Sequence, residues 1–393
     1  MEHTTRTTQA PARGPAGSGS RQGRRAWLAP LGFVLAVIPA VVLKLGGAAD
    51  VLVFIGCGVA LVPLAGLLGS ATEGLTARFG AAVGGFLNAT FGNAAELIIA
   101  LTVLRHGAEL HPVVKATVTG SIIGNLLLVL GLAVVAGGVR HRTLTFDRGS
   151  AGVGATLLAI ASAGLMIPTL FFPLFRGNPD GSRLSPLVRL SSEIAAVLIA
   201  VYLLSLLYTF HTRRQPHECT DRPARRVQPG EGLWGPWVSL AVLAVATAGV
   251  AVVSEWFVES IRPAARTLGM NDMFVGVIVV AVVGNAAEHY TAVAMAWRNQ
   301  MDVAVQIAVG SSIQVALFVA PVLVFASFVL GDGRPLTLHF TELEVAALAL
   351  SVGVVSLVSH DGEANWLEGA MLIALYAILA LAFYNLPGSG ALR

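Results

Sequence analysis

Apolar runs of roughly 20 residues follow one another from residue 27 to residue 385, separated by short polar breaks. A helix of about 20 apolar residues crosses the ~30 Å hydrocarbon core of a bilayer. The pattern predicts helices over 27–44, 50–70, 80–104, 112–138, 150–172, 190–210, 236–258, 272–297, 302–329, 341–359 and 366–385. The runs are continuous, whereas a membrane β-barrel needs segments of about ten residues that alternate polar and apolar. One long polar connection, HTRRQPHECTDRPARRVQPGEGLWG, divides the chain into halves. The expected architecture is an all-α polytopic membrane protein with about eleven transmembrane helices. A tail (1–26) precedes the first transmembrane helix (27–49). A five-helix repeat (50–210), a cytoplasmic linker (211–235), a second five-helix repeat (236–386) and a short tail (387–393) follow.

Composition narrows the class. Charged residues make up 12% of the 393, about half the share in a soluble domain. The net charge of +3 sits in loops rather than on one face, which argues against a nucleic-acid partner. The tail is polar and rich in Gly, Pro and Arg, a composition that does not support a packed core. Arg21, Arg24 and Arg25 before an apolar run, with Ala48-Ala49 beyond it, could form a signal peptide. The polar segment is long for that role and ten spans follow, so a retained helix is expected. Cys57 and Cys219 supply neither a disulfide framework nor metal-ligand spacing. With the N-terminus inside, cytoplasmic segments hold 15 of the 25 Lys and Arg, five of them in the linker. That bias sets the expected orientation.

Two carboxylates break the apolar pattern in matched settings. Residues 92–96 read GNAAE, and residues 284–288 read GNAAE again. A carboxylate at the centre of a membrane helix costs about 2.5–3.5 kcal/mol on insertion scales, so Glu96 and Glu288 point to function. The motifs fall in the third and eighth predicted spans, an odd offset that threads the two copies in opposite directions. A Gly-Ser pair follows each, Gly120-Ser121 and Gly310-Ser311, 28 and 26 residues after the motif's first glycine. Inverted repeats around a midplane site are a known build for secondary transporters.

Helical spacing puts Asn93 with Glu96, and Asn285 with Glu288, on shared faces. Ser121 and Asn125 are four apart, and Ser311 and Gln314 three apart. Gly92 and Gly284 weaken the helix where each motif begins, and unwound backbone is tolerated at membrane depth where it lines a cavity. All-oxygen surroundings suit hard cations such as Ca²⁺. Two buried charges need one divalent cation or two protons to neutralise them, so metal and proton exclude one another. His289 follows Glu288 but points about 100° away from it on a regular helix. Packing is the competing reading for Gly92, Ala94 and Ala95, and interhelical bonding for Ser121 and Asn125.

GGFLNATFGNAAELIIAL (84–101) with GSIIGNLLLVLG (120–131) resembles the first α-repeat of the CAX-type cation/proton exchangers of the calcium/cation antiporter superfamily. VGVIVVAVVGNAAEHYTAV (275–293) with MDVAVQIAVGSSIQVALFVAP (301–321) resembles their second. The resemblance implies export of cytoplasmic Ca²⁺ against protons, with the lipid bilayer as setting and no cofactor. It implies that Glu96 and Glu288 bind metal and protons, with His289 as the second carboxylate's neighbour. Asn93, Asn285, Ser121, Ser311, Ser312 and Gln314 become ligands or supports. An Arg-rich linker replaces the acidic segment found in some members, and the tail is short for an autoinhibitory extension. A bacterial inner membrane is the expected location.

Three alternatives follow from the same residues. A Na⁺ or K⁺/H⁺ antiporter would use the same scaffold, a channel would lack coupling to pH, and an enzyme would need a catalytic constellation. There is no HExxH, and His106, His111 and His339 read as surface histidines. Glu73, Glu109, Glu255, Glu259, Glu342, Glu344, Glu363 and Glu368 lie near predicted span ends and are expected to be solvated. Asp272 and Asp302 are candidates for ion vestibules.

Overall fold

The computed structural model describes residues 37–177, 184–212, 234–330 and 333–386. The tails at 1–26 and 387–393 and most of the linker lie outside the described residues. Residues 37–45 are helical, the visible part of the first expected span. There follow α1 (Asp50–Phe91), α2 (Ala94–Arg105), α3 (His111–Ile123), α4 (Leu130–His141), α5 (Arg148–Phe171) and α6 (Leu184–Thr212). The second half holds α7 (Pro236–Leu268), α8 (Ala281–Gly284), α9 (Ala286–Trp297), α10 (Met301–Gln314), α11 (Ala320–Ala326), α12 (Glu342–Val358) and α13 (Trp366–Tyr384). Among the described residues seven helices are long and apolar enough to cross a membrane. The count rises to eight if the bent pair Asp272–Gly284 and Ala286–Trp297 is one span.

One expected boundary moves. The spans predicted at 50–70 and 80–104 have no loop between them, because α1 runs unbroken to Phe91. Residues 71–79 (ATEGLTARF) contain no proline and a single glycine, so nothing there stops a helix. The interruption falls later, at Gly92-Asn93, inside the repeated motif.

Burial separates centre from periphery. The most apolar windows of Ala108–His141 and Met301–Ala326 are 72% and 67% buried, against 22% to 33% in α6, α7 and α13. The outer helices therefore turn Leu203, Leu207, Val245 and Ile378 outward, as lipid contact requires. α1 packs along α7, with Phe54 stacked on Phe257 at 4.8 Å. α4 lies against both α9 and α13. An antiparallel ribbon, β1 (Thr143–Thr145) with β2 (Glu363–Asn365), ties the α4–α5 turn to the start of α13. Asp147 caps α5 by accepting from the Ser150 N–H. Thr341–Glu344 and Asn365–Glu368 form capping boxes on α12 and α13.

The halves share an order of irregularities. Each has a helix broken at GNAAE, at Gly92-Asn93 in one half and at Asn285 in the other, where the axis bends by 58°. Each then has a helix interrupted by a π-helical turn, Gly124–Val129 between α3 and α4 and Val315–Val319 between α10 and α11. π-Turns concentrate at functional positions because they release helical backbone geometry. A third, Val275–Val280, precedes the second motif. α3 crosses it so closely that a side chain on Gly120 would collide with the Val277 carbonyl, and one on Gly276 with Ala116.

Candidate functional site

The sequence breaks each motif helix just ahead of its glutamate, so Asn93 and Asn285 become N-caps of α2 and α9. Neither side chain caps its own helix. Both are freed to reach sideways, and both reach into the opposite half. Asn93 donates from Nδ2 to Gln314 Oε1 at 2.6 Å and accepts on Oδ1 from Ser311 Oγ at 2.8 Å. Asn285 donates to Ser121 Oγ at 3.1 Å and to the Ala281 carbonyl at 2.8 Å. Asn125 closes the chain, donating to Asn285 Oδ1 at 3.1 Å and to Ser311 Oγ at 3.0 Å. Six side chains from four segments thus form one buried polar network. Asn93, Ser121, Asn125 and Asn285 are each 2% exposed or less, so bulk solvent does not reach them.

The bonding is reciprocal between repeats. Asn93 and Asn285 hold equivalent places in the two motifs, as do Ser121 and Ser311 after the Gly-Ser glycines. Each asparagine is paired with the other half's serine. The symmetry fails just beyond the Gly-Ser pairs, where Ile122 stands opposite Ser312, Gly124 opposite Gln314 and Asn125 opposite Val315.

The carboxylates sit beside this network. Glu96, 3% exposed, lies in the first turn of α2 with its chain over Gly284, whose missing Cβ would fall 3.2 Å from Glu96 Cγ. Glycine at 284 therefore makes room for the first half's glutamate. Glu288 is half-buried in the first turn of α9, one turn past the Gly284 against which Glu96 lies. Among the described residues, Glu96 Oε1, Glu288 Oε2 and Asn125 Oδ1 are buried oxygens with no hydrogen-bond donor. Acceptors buried without donors are costly, and a cation or added protons would satisfy them. The donor set is oxygen throughout, which fits a hard cation.

The remaining predicted residues fall as follows. Gly92 lies at the helix break. Ser312 stays outside the network, donating to the Ala308 carbonyl at 2.9 Å and weakly to that of Ile122 at 3.5 Å. His289 Nε2 is buried without a partner, and no hydrogen bond joins His289 to Glu288 among the described residues. Asp302 accepts from the backbone N–H of Asp147 at 2.6 Å, which ties it to the α4–α5 turn.

Glu344 corrects an expectation. It was placed at a solvated span end, yet it is 1% exposed. Its Oε1 accepts from Thr119 Oγ1 at 2.9 Å, and Oε2 from the backbone and hydroxyl of Thr341. Lys115, one turn before Thr119 on α3, donates to Thr337 and to the His339 carbonyl. His339 itself lies 4.1 Å from the Phe172 ring centroid. The segment 333–341, which reads as a polar loop, folds over the start of α3, where Lys115 is half-buried and Glu344 buried. The TELE capping pattern at 341–344 and a lone lysine beside an apolar run were the available signals.

Comparison with known proteins adds a second line. The family model for sodium/calcium exchanger proteins matches residues 49–211 and 238–385. The chain is 41% identical over 348 residues to a Ca²⁺/H⁺ antiporter of Aphanothece halophytica, covering 86% of this chain and 91% of that one. It is 42% identical over 353 residues to a Ca²⁺/H⁺ antiporter of Synechocystis sp., covering 87% and 93%. The solved structure of native YfkE superposes with a TM-score of 0.76 at 36% identity, covering 91% of this chain and all of that one.

Proposed function

The chain belongs to the sodium/calcium exchanger protein family, and from that premise we propose that it is an integral membrane Ca²⁺/H⁺ antiporter working through Glu96 and Glu288. The observation that carries this reading is the set of buried oxygens without donors among the described residues, Glu96 Oε1, Glu288 Oε2 and Asn125 Oδ1, bordering a network that both halves build. Antiporters of Aphanothece and Synechocystis that align over most of their length support Ca²⁺ and H⁺ as the exchanged ions.

The chemistry follows from charge. Two ionised carboxylates in a site of low polarity repel and lack hydration. One Ca²⁺ cancels their charge, and so do two protons. The ion that enters must displace the one that leaves, which couples the two flows. Asn93 and Asn285 hold the helix starts in register and offer carboxamide oxygens nearby, while His289 supplies a further titratable group next to the second carboxylate in the chain. Each half's broken helices then rock around the fixed site, exposing it to one side at a time. Two protons per Ca²⁺, a cytoplasmic N-terminus and export across a bacterial inner membrane complete the proposal.

The test is flux in sealed proteoliposomes under an imposed pH gradient, with Ca²⁺, Na⁺ and K⁺ offered in turn. Ca²⁺ should move against the proton gradient in the parent and stop in Glu96→Gln and Glu288→Gln. Exchange retained in both variants would overturn the site, and coupled Na⁺ or K⁺ flux without Ca²⁺ flux would overturn the substrate.

A further inference from the structure

At the C-terminal end of α2 three ligand-bearing side chains from two helices converge. His106 is the C-cap residue of α2, and Glu255 and Glu259 lie one turn apart on α7. One ligand atom from each falls within 4.8 Å of the others. Glu96 sits at the other end of the same short helix, so this cluster is separate from the paired carboxylates.

The imidazole's surroundings say what the cluster needs. His106 Nδ1 is 2.9 Å from the Thr102 carbonyl oxygen. A carbonyl can only accept, so Nδ1 carries a hydrogen. Nε2 then faces Glu255 Oε1 at 3.4 Å, and an ionised carboxylate also only accepts. A neutral imidazole here would aim a lone pair at a lone pair. A metal ion held between the two atoms would remove that conflict.

We propose that His106, Glu255 and Glu259 bind a divalent transition ion of the Zn²⁺ class. Metal-binding histidines characteristically donate their other ring N–H to a backbone carbonyl, which fixes tautomer and ring orientation. Metal–ligand bonds of about 2.0–2.1 Å in a tetrahedron place ligand atoms roughly 3.3 Å apart, close to the His106–Glu255 separation. One nitrogen and two carboxylates favour Zn²⁺ over Ca²⁺, which prefers oxygen alone. Lys44 Nζ lies 2.7 Å from Glu259 Oε2 and competes for that carboxylate. Zn²⁺ must displace it, so Lys44 sets the affinity.

The test is equilibrium dialysis of the full chain in detergent against Zn²⁺ alone. Glu96→Gln and Glu288→Gln are introduced together to remove the paired carboxylates from the count. One Zn²⁺ should bind per chain. His106→Gln and Glu255→Gln should each weaken binding at least about tenfold, the scale on which even outer-sphere partners act. Lys44→Met should tighten it, a gain that misfolding does not produce, and excess Ca²⁺ should not displace the ion. The exposed His360 serves as control, with His360→Gln binding as the parent does. Absence of stoichiometric Zn²⁺, or unchanged binding in His106→Gln, would overturn the site.

Discussion

Asn93 and Ser311, 218 positions apart, meet in a hydrogen bond of 2.8 Å, and Asn285 meets Ser121 in the equivalent bond at 3.1 Å. Losing either serine hydroxyl leaves a buried amide atom short of a partner, at about 1–3 kcal/mol. Ser121→Ala and Ser311→Ala should each lower the melting temperature in detergent. Their combined effect should fall short of the sum, because Asn125 bonds to both Asn285 and Ser311 and couples the sites. Strict additivity would separate the two bonds.

Gly284→Ala should weaken Ca²⁺ handling without unfolding the protein. The new methyl would stand 3.2 Å from Glu96 Cγ, which obliges the glutamate to yield by a few tenths of an ångström. Half-maximal Ca²⁺ concentration in the flux assay should rise, and Gly284→Val should do worse. Gly152→Ala, where nothing lies within 4 Å, should leave it unchanged.

Exchange of one Ca²⁺ for two protons moves no net charge. A potential of 100 mV, worth about 2.3 kcal/mol per elementary charge, should then leave the final Ca²⁺ gradient unaltered. Each uncompensated charge per cycle would shift that gradient roughly 50-fold by the same figure. Clamping vesicles with a K⁺ gradient and valinomycin reads the difference.

Glu344→Ala should destabilise the protein by about 1–3 kcal/mol, since it strips the capping box and leaves the buried Thr119 hydroxyl and the Thr341 donors short of an acceptor. Glu344→Gln keeps one acceptor oxygen for Thr341, and its amide can donate to the Thr119 hydroxyl instead of accepting from it, so it should cost less. Melting in detergent at fixed pH ranks the two.

Hydrogen bonds from the Ser150 side chain, then from its backbone N–H, hold the Asp147 carboxyl below its ordinary range. The folded value is depressed, so the cap's stabilisation is complete above about pH 4 and is lost as pH falls through the lower folded value. Asp147→Ala should cost about 0.5–2 kcal/mol at pH 7 and less at pH 3. A difference in melting that persists at acid pH would contradict this origin.

What could be read from the chain follows the range of each interaction. Apolar run lengths report helices directly, and the repeated GNAAE places Glu96 and Glu288 because an acid in such a run has no routine explanation. Gly92 marked the motif as a weak point in its helix, but the helix running on through 71–79 was not legible from apolar run lengths, because Glu73 and Arg78 interrupt the run there. Glu344 was misplaced for a similar reason. Its capping role is local and visible, while its burial depends on segment 333–341 covering Lys115 and on Thr119 lying opposite. The reciprocal pairing of asparagines with serines depends on contacts across more than 160 positions, beyond any local pattern.

That reciprocity bears on how such a chain could arise. A lone half would carry an asparagine and a serine whose partners, in this structure, both stand on the other half. A single-unit ancestor would have been driven to associate with a second copy before any duplication joined them, and fusion would have made that partnership permanent. Only afterwards could Asn125 and Gln314 diverge, since a joined pair no longer has to be identical.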